Sequence, residues 1–233
     1  MAFPRPSVIL FMGPPGAGKG TQANAFVDAV SGYRHFDTGR MIERAINDPK
    51  NQDDPAIGIE KERFAAGLLT SYEFKMRIIT EGINAIASEG MGVVLSGSPR
   101  TRHEAEQLTP FMQDIYGQDS IVLIQLIIKQ ETTIFRNSHR RICSRCGRAL
   151  VWTEENQSMT FCPECGGELK TRVLDTEEVI KKRLQEYEHR TAEVVPYLVA
   201  SGVPVRKIDG EARPEEVTRH VLAVFEELKK ELA

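Results

Sequence analysis

An apolar run of six residues, "SVILFM" (7–12), breaks directly into "GPPGAGKGT" (13–21), and a helical pattern follows. Strand, glycine-rich loop and helix in that order leave few folds open. The loop has to sit where a buried strand hands the chain to a helix N-terminus. It satisfies G-x-x-x-x-G-K; Gly20 stands where Ser or Thr usually follows the lysine, and Thr21 comes next. The glycines let backbone N–H groups converge on phosphate oxygens, the helix presents its positive end there, and Lys19 can reach the terminal phosphates. A glycine-rich turn without a ligand is the alternative, and the flanking strand and helix weigh against it.

Five segments read as buried parallel strands: 7–12, 33–37, 92–96, 120–128 and 203–209. Helical patterns alternate with them, "EFKMRIITEGINAIASEG" and "RHEAEQLTPFMQDIYG" being two. The expected fold is α/β, a doubly wound five-stranded parallel sheet flanked by helices, with the chemistry in loops beyond the carboxyl ends of the strands. Two stretches interrupt the alternation. Residues 37–70 are mostly polar and helical, with a loop at "NDPKNQDDPAIG"; residues 139–175 hold every cysteine and a hairpin-like "ALVW"–turn–"SMTF". Both are expected to be inserts in a core made of residues 1–36, 71–138 and 176–233.

Near the end of the chain, "DTEEVIKKRLQEYEHRT" offers Asp175 as N-cap with Glu178 three residues on, a capping-box pattern. Ile180, Leu184 and Tyr187 follow at helical spacing, and Arg183 flanks that stripe, placed to point toward a ligand. The last helix carries Val217, Val221, Phe225, Leu228 and Leu232 on one face and reads as packing.

Composition narrows the classes. Thirty Lys+Arg against 33 Asp+Glu, net −3, do not describe a protein that coats nucleic acid. Hydrophobic residues at 41% fit a folded chain, and the longest apolar runs are too short to span a bilayer. The first run lacks a basic region and cleavage pattern, so no signal peptide is expected and cytosol is the default. All four cysteines fall within 23 positions, as "CSRCG" and "CPECG" with fifteen residues between the pairs. Cys143, Cys146, Cys162 and Cys165 therefore read as a closed, structural zinc site that orders its insert; a redox pair is the alternative, and the duplicated spacing argues against it. Arg100 follows the "SGSP" loop, Arg136 and Arg140 share a helix face, and Arg172 and Arg183 flank the exit of the cysteine insert. Phosphoryl transfer needs cations on donor and acceptor oxygens, and these border positions suit that task as a group.

With these motifs in order, the chain resembles the adenylate kinases, nucleoside monophosphate kinases with a zinc-bearing lid. "GPPGAGKGTQ" resembles the family's phosphate loop, "DTGRMIERA" its "STGDMLRAA" acceptor motif and "GSPRT" its "GFPRT". "RNSHRRICSRCG" and "RVLDTEEVIKKRLQEY" resemble the two borders of the lid, so the likeness covers essentially the whole chain. It implies a core with two mobile inserts, one over the acceptor and one over ATP, used with Mg²⁺. It places Gly16, Ala17, Gly18, Lys19, Gly20 and Thr21 on the ATP phosphates, Arg136 and Arg140 on ATP and the transferring group, and the Ala212 carbonyl on the donor adenine. Thr38, the backbone of Gly67, Leu68 and Leu69, Gly97 and Arg100 would hold the acceptor monophosphate, and Arg172 and Arg183 would close onto the phosphates. Lys19, Arg100, Arg136, Arg140, Arg172 and Arg183 are thus the expected catalytic cations.

The departures from the family pattern are informative. Ser96 and Arg40 occupy positions where acidic residues usually hold waters around magnesium. The metal is expected to be held more loosely, unless the phosphates and Thr21 suffice or Asp37 substitutes; altered metal handling is the reading, not lost chemistry. The family's acceptor-site arginine aligns with Glu43. Arg40 and Arg44 are both candidates to replace it, Arg44 being counted with the acceptor residues. The base-reading glutamine aligns with Glu104, which is also counted there. A carboxylate only accepts hydrogen bonds, so it suits guanine, with Gln107 one turn on able to restore adenine reading. An exposed helix position is the alternative for Glu104. The expected reaction is ATP + AMP = 2 ADP by a monomer that binds neither nucleic acid nor membrane. A GMP- or CMP-preferring kinase, and a weakly catalytic protein using its ribbon for RNA or partner contacts, are the alternatives.

Overall fold

The computed structural model describes residues 3–51, 54–153, 156–171 and 175–232. Five strands form one parallel sheet: β1 (Val8–Met12), β2 (Tyr33–Asp37), β3 (Gly92–Ser96), β4 (Ile121–Ile127) and, numbered last among the strands, β8 (Val205–Asp209). Their order is β2-β3-β1-β4-β8. β1 is buried along its whole length, as an apolar strand between two covered neighbours must be. The chain crosses outward to β2, returns to β3 beside β1, then passes to β4 on the other side. The crevice beyond β1 is therefore the switch point where ligands bind.

Each face of the sheet has its own core. On one side α4 (Tyr72–Ser88), α5 (Arg102–Tyr116) and α8 (Val194–Ala200) bring Ile79, Ile83, Leu108, Met112 and Leu198 against Leu10 and Leu95. On the other, α1 (Lys19–Ala29) and α9 (Pro214–Glu231) bring Phe26, Val221 and Phe225 against Ile9, Phe11 and Ile124. Large side chains such as Phe11, Phe26 and Met112 are fully covered, and each such burial stabilises the fold by about 1.5–3 kcal/mol. The expected strand limits shorten at β4 and β8: Ser120 turns its hydroxyl back to the Gly117 carbonyl, and β8 begins only after Pro204, which has no N–H to give.

Between β2 and α4 lie α2 (Thr38–Asn47) and α3 (Pro55–Ala65), joined through a small cluster of Ile42, Ile46 and Ile57. α3 starts inside the stretch read as a loop, because Asp54 caps it and Pro55 takes the first position, where no N–H is required.

The cysteine insert follows α6 (Gln130–Ser138) and forms a separate three-stranded antiparallel sheet, β6-β5-β7, from β5 (Arg141–Cys143), β6 (Ala149–Leu150) and β7 (Leu169–Thr171). Here the expected pairing of "ALVW" with "SMTF" is wrong. Each cysteine pair closes its own tight turn, with Gly147 N–H on Cys143 O and Gly166 N–H on Cys162 O, both 2.9 Å. Ala149 and Leu150 are thereby folded back onto Ile142 and Arg141, and Phe161 onto Glu168.

The insert ends at α7 (Glu177–Glu186), and its cap is also corrected. Thr176, not Asp175, accepts from the Val179 N–H, because the Asp175 carboxylate is engaged elsewhere. Val217, Val221, Phe225 and Leu228 of α9 are buried as expected. No helix among the described residues is long and apolar enough to cross a membrane.

Candidate active site

A cavity of about 670 Å³ opens over the carboxyl ends of β1, β2 and β3 and runs under the cysteine insert. Its floor is the phosphate loop, Gly16 to Thr21. Gly18, the residue before α1, has φ +88°, a conformation that costs glycine little and other residues much. No side chain caps α1 and its first turn holds no acid, so its leading N–H groups and positive end are left for an anion. Lys19 curls over the loop and donates to the Gly13 and Pro14 carbonyls, both at 2.8 Å. Burial first, then the charges of Arg100, Arg183 and Arg140, bring its pKa down to about 7. Four cations thus converge from four separate stretches of the chain, with Asp37 as the counter-charge acting on the lysine.

Arg100 and Arg183 line both this cavity and a smaller one of about 100 Å³ beside Gly97 and Leu69. Arg100 donates through Nε to the Gly97 carbonyl at 2.6 Å. Arg140 grips Asp175 with two hydrogen bonds, 2.9 and 2.6 Å, and Arg183 approaches the same carboxylate at 3.4 Å. The Asp175 side chain is fully buried, so it fixes the pair of guanidinium groups at the mouth of the insert. The sequence pattern reads Asp175 as a helix cap, and nothing local to it points to this role.

Arg136 also lines the cavity, but it is committed to the backbone. It donates to the Gly210 and Glu211 carbonyls at 2.7 and 3.0 Å and so supports the loop that carries Ala212, itself a lining residue. Trp152 of the insert faces the same end, edge-on to Phe135 at 5.3 Å between centroids. Trp152 is the single tryptophan of the chain, and nothing local in the sequence pairs it with Phe135.

On the acceptor side Gly67, Leu68 and Gly97 line the larger cavity and Leu69 the smaller. Thr38 is completely buried, and its hydroxyl has no hydrogen-bond partner among the described residues. Arg44 is exposed on α2, its Nη1 4.0 Å from Met41 Sδ, and it lines neither cavity. Arg40 instead crosses to the insert and donates to the Cys146 carbonyl at 2.8 Å. Glu104 is not the exposed residue that one reading expected: it is 0% exposed. Its oxygens take Lys75 Nζ at 2.5 Å, the Thr101 hydroxyl at 3.2 Å and the Arg100 N–H at 2.9 Å, and it lines neither cavity. Arg172 lies outside the described residues.

The four cysteine sulfurs lie within 4.8 Å of one another, with Cys143 and Cys165 at 3.4 Å and Cys146 and Cys162 at 3.8 Å. The Cys146 N–H, aimed at Cys143 Sγ from 3.4 Å, is the main cause holding that thiol down at about 6. Four sulfurs on two knuckles form a donor set that fits tetrahedral zinc.

The whole arrangement is a phosphate cradle joined to a cationic cleft. The model of the family described as "Adenylate kinase" matches residues 11–203. The chain is 32% identical to an adenylate kinase of Novosphingobium aromaticivorans over 220 residues, covering 93% of this chain and 98% of that protein. It is 36% identical to one of Carboxydothermus hydrogenoformans over 211 residues, 90% and 94% of the two chains, and 33% identical to one of Halobacterium salinarum over 221 residues, 94% and 96%. Many further curated adenylate kinases are similar over comparable lengths. With a parallel five-stranded sheet, a phosphate loop at its switch point and this likeness along nearly the full length, the chain belongs to the adenylate kinase family and is a nucleotide phosphotransferase.

Proposed function

We propose that the protein transfers the terminal phosphoryl group of ATP reversibly to AMP, giving two ADP. The observation that carries this reading is the single cavity that joins the phosphate loop to Gly97 and Arg100, lined by Lys19, Arg100, Arg140 and Arg183. ATP lies with its phosphates on Gly16–Thr21 and its base toward Ala212 and Trp152. The acceptor phosphate lies by Arg100, with Thr38, Gly67 and Leu69 around its nucleoside. An acceptor phosphate oxygen attacks the terminal phosphorus in line, and the cations neutralise charge on the transferring group, so the protein works by position and electrostatics. Asp175 keeps Arg140 and Arg183 aimed while the cleft waits for phosphate. Closing the cysteine insert keeps water from competing with the acceptor.

Two metals belong to this reading. Cys143, Cys146, Cys162 and Cys165 hold a structural Zn²⁺ that orders the insert. Mg²⁺ accompanies the triphosphate and supplies charge neutralisation on its oxygens; the hydroxyl of Thr21 and the side chains at the ends of β2 and β3 are oxygen donors that suit it. AMP is supported as acceptor by the names of the relatives. The case for guanine needed a free Glu104 carboxylate, and here both oxygens are engaged. The test is NDP formation from ATP, Mg²⁺ and each of AMP, GMP, CMP and UMP. A kcat/KM for AMP well above the other three is the expected result; a preference for GMP or CMP would overturn the acceptor assignment, and silence with all four the activity.

A further inference from the structure

We propose that Asp37, at the end of β2, is the carboxylate that holds the water shell of the divalent cation travelling with the triphosphate, with Ser96 as its uncharged neighbour. This rests on the phosphotransferase reading above. A magnesium ion in such a site keeps several waters and needs one or two carboxylates beside the phosphates. β3, the strand next to β1, offers none: it ends in Ser96. Asp37 is the register partner of Ser96 on the neighbouring parallel strand, and both line the cavity with Thr21.

The other carboxylates of the cavity lining are occupied. Arg148 takes Asp28 and Glu164, each at 2.9 Å, and Glu211 receives the Lys129 N–H and the Thr132 hydroxyl. Asp37 uses Oδ1 to cap α2 through the Arg40 N–H at 3.1 Å. Its Oδ2 turns toward the phosphate loop, 3.8 Å from where a Cβ on Gly20 would stand. Among the described residues it is the lining carboxylate with an oxygen turned to that loop.

Ser96 is prepared as an acceptor. The Asn24 oxygen lies 2.8 Å from His35 Nδ1, so that nitrogen carries the ring proton, and Nε2, 2.6 Å from Ser96 Oγ, accepts the serine hydrogen. The serine lone pairs are then left for a metal-bound water. Asp37, Ser96 and Thr21 make an all-oxygen set, which fits a hard cation and not a soft one.

The test uses Mn²⁺ as the probe, its binding followed by electron paramagnetic resonance on the whole protein with a non-hydrolysable ATP analogue. Asp37→Asn is the informative variant, because asparagine caps a helix about as well as aspartate and only the charge is lost. Its Mn²⁺ dissociation constant in the ternary complex is expected to rise about tenfold or more relative to the wild-type ternary complex. Moving the charge back to β3, in Asp37→Asn/Ser96→Asp, is expected to restore Mn²⁺ affinity. A dissociation constant for Asp37→Asn within about twofold of wild type would overturn the proposal, and so would failure of the double variant to recover. The measurement requires nucleotide binding but no turnover. Failure of the acceptor assignment therefore leaves this result standing, and an unchanged Mn²⁺ affinity leaves phosphoryl transfer untouched.

Discussion

Lys75 and Glu104 face each other inside the protein, with side chains 5% and 1% exposed and Nζ 2.5 Å from Oε1. The pair is part of a longer construction. Thr101 caps α5 by accepting the Glu104 N–H, the Glu104 carboxylate reaches back to the Thr101 hydroxyl and to the Arg100 N–H one residue before the cap, and Lys75 on α4 neutralises that carboxylate. Arg100, a cation of the cleft, is thereby fixed through its own backbone. Lys75→Met leaves a buried carboxylate without its counter-charge, at an expected cost of about 3–5 kcal/mol. Lys75→Met/Glu104→Gln removes both charges, and its chemical denaturation midpoint should return most of the way to wild type. The kinetic counterpart concerns Glu104→Gln alone. If Glu104 positions Arg100, KM should rise by a similar factor for every acceptor nucleotide; a switch of preference between AMP and GMP would instead make it a base reader. Half of this was legible in the sequence. Residues 75, 79, 83 and 86 fall on one buried face of α4, which marks Lys75 as a lysine in need of a partner. Nothing local to Glu104 names a partner 29 residues earlier, so both an exposed and a base-reading glutamate fitted the pattern while the observed role did not emerge.

The inserts show the same limit between elements. The cysteine spacing announced a metal-sized cluster, because two knuckles are written in consecutive residues, and the sulfurs do converge. How the insert meets the rest of the molecule was not written locally. Arg40 of α2 reaches Cys146 O across 106 sequence positions and lies flat on Gly147, where a Cβ would stand 2.6 Å from the guanidinium carbon. Gly147 also has φ +69°, so the first knuckle needs glycine for its turn and for this contact. Arg148 adds a second latch, to Asp28 on α1 and to Glu164 of the other knuckle. These are solvent-facing ion pairs, each worth about 0.2–1 kcal/mol, too little to set global stability and enough to bias a hinged insert. Two interventions should therefore separate. Stripping zinc should lower the melting temperature of the insert strongly, since its short strands have little apolar core of their own. Arg40→Ala/Arg148→Ala should leave the zinc-loaded melting temperature nearly unchanged but free the insert. Trp152, the single tryptophan of the chain, reports on this directly: its acrylamide quenching should increase in the latch variant and fall again with ATP. Identical quenching in variant and wild type would remove the latch from the account.

At the scale of the molecule, a chain of net charge −3 concentrates positive charge at one point. The strand order does this. Loops after β1 and β3 meet at the switch point, and the cysteine insert swings α6 and α7 over it, bringing Lys19, Arg100, Arg140 and Arg183 together. Alternating apolar runs and helical periods made the sheet legible; the convergence depended on tertiary distances, and only the family likeness pointed to it. The cost of the convergence falls on the one cation among the four that can release its proton. Free Lys19 titrates near 7, pushed down by burial and by the three arginines. Phosphate oxygens against its ammonium group favour the charged form and raise that pKa again. Above about pH 7 the free protein has therefore partly lost the proton that the complex requires. Triphosphate binding should take up close to one proton at about pH 8, and affinity should weaken as pH rises, approaching tenfold per unit. Calorimetry of ATP binding without metal, in buffers of different ionisation enthalpy, measures the uptake directly. Lys19→Arg keeps its charge throughout this range and should abolish it. A buffer-independent enthalpy for the wild-type protein at that pH would mean that Lys19 stays charged in the empty cleft. The Asp175 carboxylate, which takes Arg140 and Arg183, and the Gly97 carbonyl, which takes Arg100, would then offset enough of their charge to spare it.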